Sequence, residues 1–281
     1  MDLKTAVSFV CVFLLMSSLS AGLDIKHVYK RLKSPLGIVI ALCCSYGFLP
    51  MLSFMLSLIF KLPTAESIGL IMMSTCPGGA FASVAVYVFN ADLPLSIAMT
   101  TASTVLSFVF IIINCALYIP IIIGNDELVH LDYSLLFLSI FINLFSIIIG
   151  LLISYYKFKR MQHVLGLAGL WIIVLSTLYT AYNMAFNLAY LLQQLSFGAI
   201  ISPLIVELSS YLFGFGVTYF FNLPSSQIVA IALQCGNPNV YLSIAILYVT
   251  LKSKHSIELA LSMPILFTIY GTVITVVLGA Y

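Results

Sequence analysis

The chain has 281 residues, of which 62% are hydrophobic and 7% charged, with a formal net charge of +2. Soluble domains carry about a quarter charged residues, so this composition excludes a water-soluble globular protein and gives an integral membrane protein. It offers no basic field for nucleic acid, and the scattered Lys and Arg serve to orient the chain in a bilayer.

With about 20 apolar residues taken as one crossing, the chain divides into nine predicted helices, at about 5–23, 35–60, 66–89, 93–121, 133–153, 164–192, 197–221, 225–250 and 257–280. The first, with Lys4 ahead of an apolar run and "SSLSAG" after it, also fits a cleavable signal peptide. Cleavage would export "DIKHVYKRLK", so a retained helix agrees better with the preference of basic residues for the cytoplasmic side. The segment 93–121 is long for one span, but it lacks a polar break and is read as one tilted or extended helix.

With the N-terminus outside, the inner connections hold Lys26, Lys30, Arg31, Lys33, Lys157, Lys159 and Arg160. The outer ones hold Lys4, Lys61, Lys252, Lys254 and the acidic "GNDELVHLD". An odd number of spans then sets the C-terminus in the cytoplasm, and a plasma-membrane location is expected. The cysteines, Cys11, Cys43, Cys44, Cys76, Cys115 and Cys235, all fall in apolar segments and read as small packing residues rather than a disulfide or zinc framework.

Two spans carry what a bilayer helix should avoid. The segment 66–89 contains Cys76-Pro77-Gly78-Gly79, and 225–250 contains Gln234-Cys235-Gly236-Asn237-Pro238-Asn239. Hydrocarbon supplies no partner for a freed backbone amide, so protein or water must supply it. Each break follows a Leu-Pro that opens its helix and precedes a short polar link to another span, and the two copies enter the membrane from opposite sides. This is an inverted repeat, about 5–121 and about 133–281, within a single transmembrane transporter domain. Gly/Pro-interrupted spans at matching places in inverted halves mark a transporter's binding site. A lone break would more simply be a packing kink.

"CPGG", "LSIAMTTAST" and "LQCGNPN" together resemble the bile acid:sodium symporter family, and the likeness runs over nearly the whole chain. The resemblance implies an all-α membrane fold in which a core domain with two crossed, unwound helices stands beside a smaller panel domain. It implies sodium as the coupling ion and organic anions such as bile acids or sulfated steroids as substrate. Ser96 and Thr100 match the family's hydroxyl ligands, while Gly78, Gly79, Gly236 and Asn239 keep the breaks.

The remaining ion ligands depart from the family. Gln234 stands where the family has glutamate, and Pro238 where it has glutamine. Ala82 and Ser83 replace its Ser-Asn pair, and Ser45 replaces a glutamine of the preceding helix. Sodium sites at Ser45, Ser83, Ser96, Thr100 and Gln234 are therefore degraded, since a dipole replaces a charge.

Glu207, a carboxylate within a span, is a candidate proton site by default. It precedes Pro224 by nearly the same number of residues as Ser45 precedes Pro63, which sets the two at matching places in the halves. A structural carboxyl bonded to a neighbouring Ser or Tyr is the plainer alternative. Asn143, Asn183, Asn187, Gln193, Gln194 and Trp171 are read as packing or interface residues.

The expected function is secondary transport of an amphipathic organic anion, driven by sodium, by protons or by exchange alone. A non-transporting binding or regulatory protein of the same fold is the alternative. No HExxH or nucleophile-elbow motif supports an enzyme, and His27, His130, His163 and His255 lie apart, in or near loops.

Overall fold

The computed structural model describes most of residues 35–124, 133–169 and 195–279, with scattered positions between 10 and 21 and at 171 and 175. Among the described residues the regular structure is helical, apart from isolated bridge residues.

Helix α1 (Leu36–Cys43) passes through a π-helical turn (Cys44–Phe48) into α2 (Leu49–Ile59); Pro50 has no N–H to give the turn before it, and the Tyr46 carbonyl accepts instead from Asn114 Nδ2 at 3.1 Å. The first broken span is α3 (Thr64–Ser74) and α4 (Ala80–Val88). A single long helix, α5 (Leu93–Ile123), follows, capped by Asp92, whose carboxylate accepts from the Leu95 N–H at 3.0 Å. After α6 (Tyr133–Tyr155) and α7 (Phe197–Phe220) comes the second broken span, α8 (Ser225–Gly236) and α9 (Val240–Thr250), and then α10 (Lys254–Gly279). The 164–192 segment falls largely outside the described residues, and the 5–23 segment is described at a few positions only.

Among the described residues, four helical stretches are long and apolar enough to cross a membrane: Leu36–Ile59, Leu93–Ile123, Phe197–Phe220 and His255–Leu278. Their polarity is turned inward. Along α5 the residues Val105, Val109, Ile113, Leu117 and Ile121 recur every fourth position and are exposed, whereas Ser96, Ser103, Ser107 and Asn114 are buried. A helix with its hydroxyls inside and its branched aliphatics outside suits lipid as solvent.

The turns into the two broken spans have the same geometry. Lys61 has φ 51° and Asn222 φ 52°. The Leu62 N–H donates to the Ser57 carbonyl at 2.9 Å, and the Leu223 N–H to the Thr218 carbonyl at 3.2 Å. Each turn then runs through Leu-Pro into a helix.

Broken and unbroken helices approach through small residues. A Cβ on Gly69 of α3 would lie 2.2 Å from the Ala260 carbonyl oxygen of α10, and one on Gly214 of α7 would lie 2.8 Å from the Ala232 Cα of α8. Lipid gives helices no hydrophobic drive to associate, so close backbone contact supplies much of the attraction. Gly69→Val is expected to cost about 1–3 kcal/mol through forced separation of α3 and α10. It should appear as a lower thermal midpoint in detergent, with Gly216→Ala, where nothing lies within 4 Å of the added carbon, as the neutral control.

Candidate functional site

Helix α3 ends at Ser74 and the chain stays non-helical from Thr75 to Gly79, whereas α8 continues through Gly236 and leaves the helix only at Asn237–Asn239. The second break is thus shorter than the 235–239 read from sequence, and Cys235 and Gly236 belong to the helix. Gly236 serves close approach rather than termination. A Cβ there would lie 2.3 Å from the Tyr211 ring.

The two non-helical stretches lie against each other as an antiparallel bridge between Gly78 and Pro238. The Gly79 N–H donates to the Asn237 carbonyl at 2.8 Å, and the Asn239 N–H donates to the Pro77 carbonyl at 2.7 Å. The prolines stand where the bridge asks nothing of a backbone N–H. Pro77 contributes only its carbonyl, and the bonds on the other strand leave from the residues flanking Pro238.

The helix ends facing the break are closed by its own side chains. Ser74 donates to the Ile71 carbonyl at 2.9 Å, as does Thr75, and Cys76 reaches the Met72 carbonyl at 3.3 Å. On the other side Asn237 Nδ2 donates to the Leu233 carbonyl at 2.9 Å, and Asn239 caps α9 by accepting from the Leu242 N–H at 3.1 Å.

One flank of the crossover holds a neutral chain of hydrogen bonds. Ser83 of α4 pairs with Ser96 of α5 at 3.0 Å, and Ser96 donates to Gln234 Oε1 at 3.1 Å. Gln234 Nε2 donates in turn to Thr100 at 2.9 Å. The structure therefore brings together Ser83, Ser96, Thr100 and Gln234. Ser45 is buried on the π-helical turn, outside this chain. The Gln234 amide rests directly over Gly78, where a Cβ would meet Nε2 at 1.8 Å.

The opposite flank holds Glu207. Its side chain is fully buried on α7 and neither carboxyl oxygen has a hydrogen-bond partner, so no Ser or Tyr bonds it. Beside it Tyr211 and Thr275 share a hydrogen bond at 2.9 Å, and Asn237 Nδ2 donates to the Tyr211 hydroxyl at 2.9 Å. Tyr211, Thr275 and Gly271 were not singled out from the sequence. The available signal was weak: Tyr211 follows Glu207 by one helical turn and so shares its face. Asn143 lies on α6, while Asn183, Asn187, Gln193 and Gln194 lie outside the described residues.

A family model described as "Sodium Bile acid symporter family" matches residues 9–194. Among curated proteins, the chain is 29% identical over 234 residues to the sodium/bile acid cotransporter 4 of Mus musculus, covering 83% of this chain and 53% of that protein. It is 25% identical to the sodium-dependent organic anion transporter of Homo sapiens, covering 95% and 70%. To the ileal sodium/bile acid cotransporter of Mus musculus it is 22% identical, covering 99% and 80%. The chain spans about half the length of the first of these relatives.

The Gly78 and Gln234 contact can be checked by a double-mutant cycle. Gly78→Ala alone should destabilise the protein by displacing the amide, and Gln234→Ala alone should break the bonds to Ser96 and Thr100. Together they should be less harmful than the sum, with a coupling of about 1 kcal/mol or more in unfolding measurements.

Proposed function

This chain belongs to the sodium bile acid symporter family, a family of transporters, and on that premise we propose that it carries an amphipathic organic anion of the bile-acid or sulfated-steroid class across a membrane. The observation that carries the reading is the pairing of two interrupted helices, Gly79 to Asn237 and Asn239 to Pro77. Irregular backbone at membrane depth is tolerated where it is buried in protein or lines a cavity, and in transporters such paired breaks lie at the substrate and ion sites.

In this reading the chain is one transporter domain of two inverted repeats, about 5–121 and about 133–281, with the crossed helices in a core beside a panel. The repeat is supported by the two breaks that pair with each other, each in a span entered through Leu-Pro. The substrate's anionic group lies near Cys76–Gly79 and Cys235–Asn239, where α4 and α9 present their N-terminal ends. The protein is multi-pass, with its N-terminus outside and its C-terminus in the cytoplasm of a plasma-membrane protein.

Sodium coupling through Ser83, Ser96, Thr100 and Gln234 is weak or lost. The Gln234 carboxamide accepts from one hydroxyl and donates to the other. A carboxylate could only accept, which would leave the Thr100 oxygen free to face a cation. The amide's N–H does what a bound cation would do, and no net charge remains to hold sodium. That same neutrality favours a second reading, a binding or regulatory membrane protein that retains the fold without transport.

Uptake of labelled taurocholate and estrone sulfate into vesicles, in sodium and then in choline, separates these readings. Wild-type uptake is expected to change little between the two salts, and Gln234→Glu is expected to gain several-fold stimulation by sodium. Strong sodium dependence of the wild type would sink the degraded-site reading. Binding of either probe without counter-flow would select the non-transporting protein.

A further inference from the structure

The carboxyl of Glu207 is buried without a partner on the flank of the crossover opposite Gln234. A Cβ on Gly271 of α10 would lie 2.6 Å from Glu207 Oε1 and 3.6 Å from Asn237 Oδ1. Glycine at that place therefore leaves a small gap into which both the carboxyl and the unwound segment present an oxygen. An ionised carboxylate held there with nothing to pair it would cost several kcal/mol, whereas the protonated acid needs only one acceptor.

Among the described residues, the elements packed on α7 present no charge-bearing partner to this carboxyl. α7 packs against α8, α10, α2, α1, α3 and the π-helical turn. These bring Cys235 on α8, Cys43 on α1, Cys44 and Tyr46 on the turn, Glu66 on α3, and Lys254, His255, Glu258 and Tyr270 on α10, while α2 carries no titratable group. On the helix itself stand Tyr211 and, near its far end, the exposed Tyr219. The basic residues open α10, and His255 is roughly 24 Å from Gly271 along that helix. Tyr270 donates to the Ile200 carbonyl at 3.0 Å, near the start of α7.

The choice between a metal ion and a proton follows from the count of free oxygens. A monovalent metal ion leaving water requires several oxygen ligands. Here the hydroxyls of Tyr211 and Thr275 are bonded to each other, and the Asn237 amide nitrogen is bonded to Tyr211 and to the Leu233 carbonyl. The oxygens nearest the gap at Gly271 are two, Glu207 Oε1 and Asn237 Oδ1, which is fewer than a metal ion takes.

We propose that Glu207, Asn237 and the gap at Gly271 form a proton-binding site that couples proton entry to the state of the crossover, in place of the charge absent at Gln234. The proton is taken from water on one side onto a Glu207 oxygen, bridges to Asn237 Oδ1, and is released to water on the other side. Loss of the proton leaves a negative charge facing the Asn237 carbonyl-type oxygen, which opposes the packed arrangement of the unwound segment. Carried with a monoanionic substrate, one proton makes the transported pair neutral. The inference rests on the transport reading for its coupling role, but the proton site itself can be tested without it.

Infrared difference spectra of the purified protein across a pH series in choline medium, for the wild type and for Glu207→Gln, read the site directly. The wild type should show a protonated-carboxyl carbonyl band that titrates and is lost in Glu207→Gln. A spectrum with no band removed by the substitution overturns the proposal, as does removal of that band by sodium at constant pH, which would make the ion sodium. Gly271→Ala pushes only against the flexible end of Glu207, so it should fold and displace the band; an unshifted band places the carboxyl elsewhere and counts against the site. In vesicles, an inward proton gradient should raise wild-type uptake of taurocholate or estrone sulfate several-fold and leave Glu207→Gln unaffected. Equal stimulation of the variant overturns the coupling. Absence of uptake of both probes defeats the transport reading, and the infrared band then still decides the proton site.

Discussion

Everything at the centre of this protein depends on a backbone that must satisfy itself where no water is at hand. Interrupting one helix inside a bilayer frees amides and carbonyls at several kcal/mol each. Interrupting two and laying them antiparallel lets each supply what the other lost: Gly79 bonds to Asn237 and Asn239 to Pro77. Neither break is tenable alone. The pairing fits Gly78 opposite Pro238 at the bridge, since Gly78 admits the Gln234 amide above it and Pro238 sits between the bonding positions.

With main chain paired to main chain, the side chains of the break are released for other work. Ser74, Thr75, Cys76 and Asn237 return to the carbonyls of their own helices, and Asn239 caps the next one. What remains is divided between two flanks. On one, Gln234 binds two hydroxyls of α5 in a neutral lattice; on the other, Asn237 anchors to Tyr211 beside an unpartnered carboxyl. Residues three apart at a single helix end, Gln234 and Asn237, thus serve partners on different helices, α5 and α7.

Much of this was legible in the sequence, because bilayer chemistry leaves few alternatives. Among the described residues, apolar length set the spans near their observed places, and the Pro/Gly clusters marked both breaks. The extent of the second break was not legible. Gly236 looks like a helix terminator, but the Tyr211 ring above it is contributed by another helix, and only the packing reveals that the glycine serves clearance. The same holds for Gly69 against Ala260 and for Gly271 against Glu207, where the partner is remote in sequence and a periodicity cannot name it. The grouping of Ser83, Ser96, Thr100 and Gln234 was reached through family likeness rather than spacing. Ser45, grouped with them on the same basis, is buried on a separate turn.

The placement of charge is the final consequence of the pairing. A transporter of anions that relies on bare half-helix ends can hold its substrate with partial positive charges alone, but those do not change during a cycle. A group whose charge changes during the cycle, set close to the break, can favour one arrangement over the other. Gln234 cannot do this, since its amide is neutral throughout. On the proposal made above Glu207 can, because its carboxyl and Asn237 Oδ1 both border the cleared space at Gly271, and because among the described residues no hydrogen bond or ion pair holds that carboxyl. On the proton-site proposal, the neutral amide of Gln234 and the unpartnered carboxyl of Glu207 are two parts of a single arrangement, in which the ion-sensitive group of the crossover is one that a proton can fill.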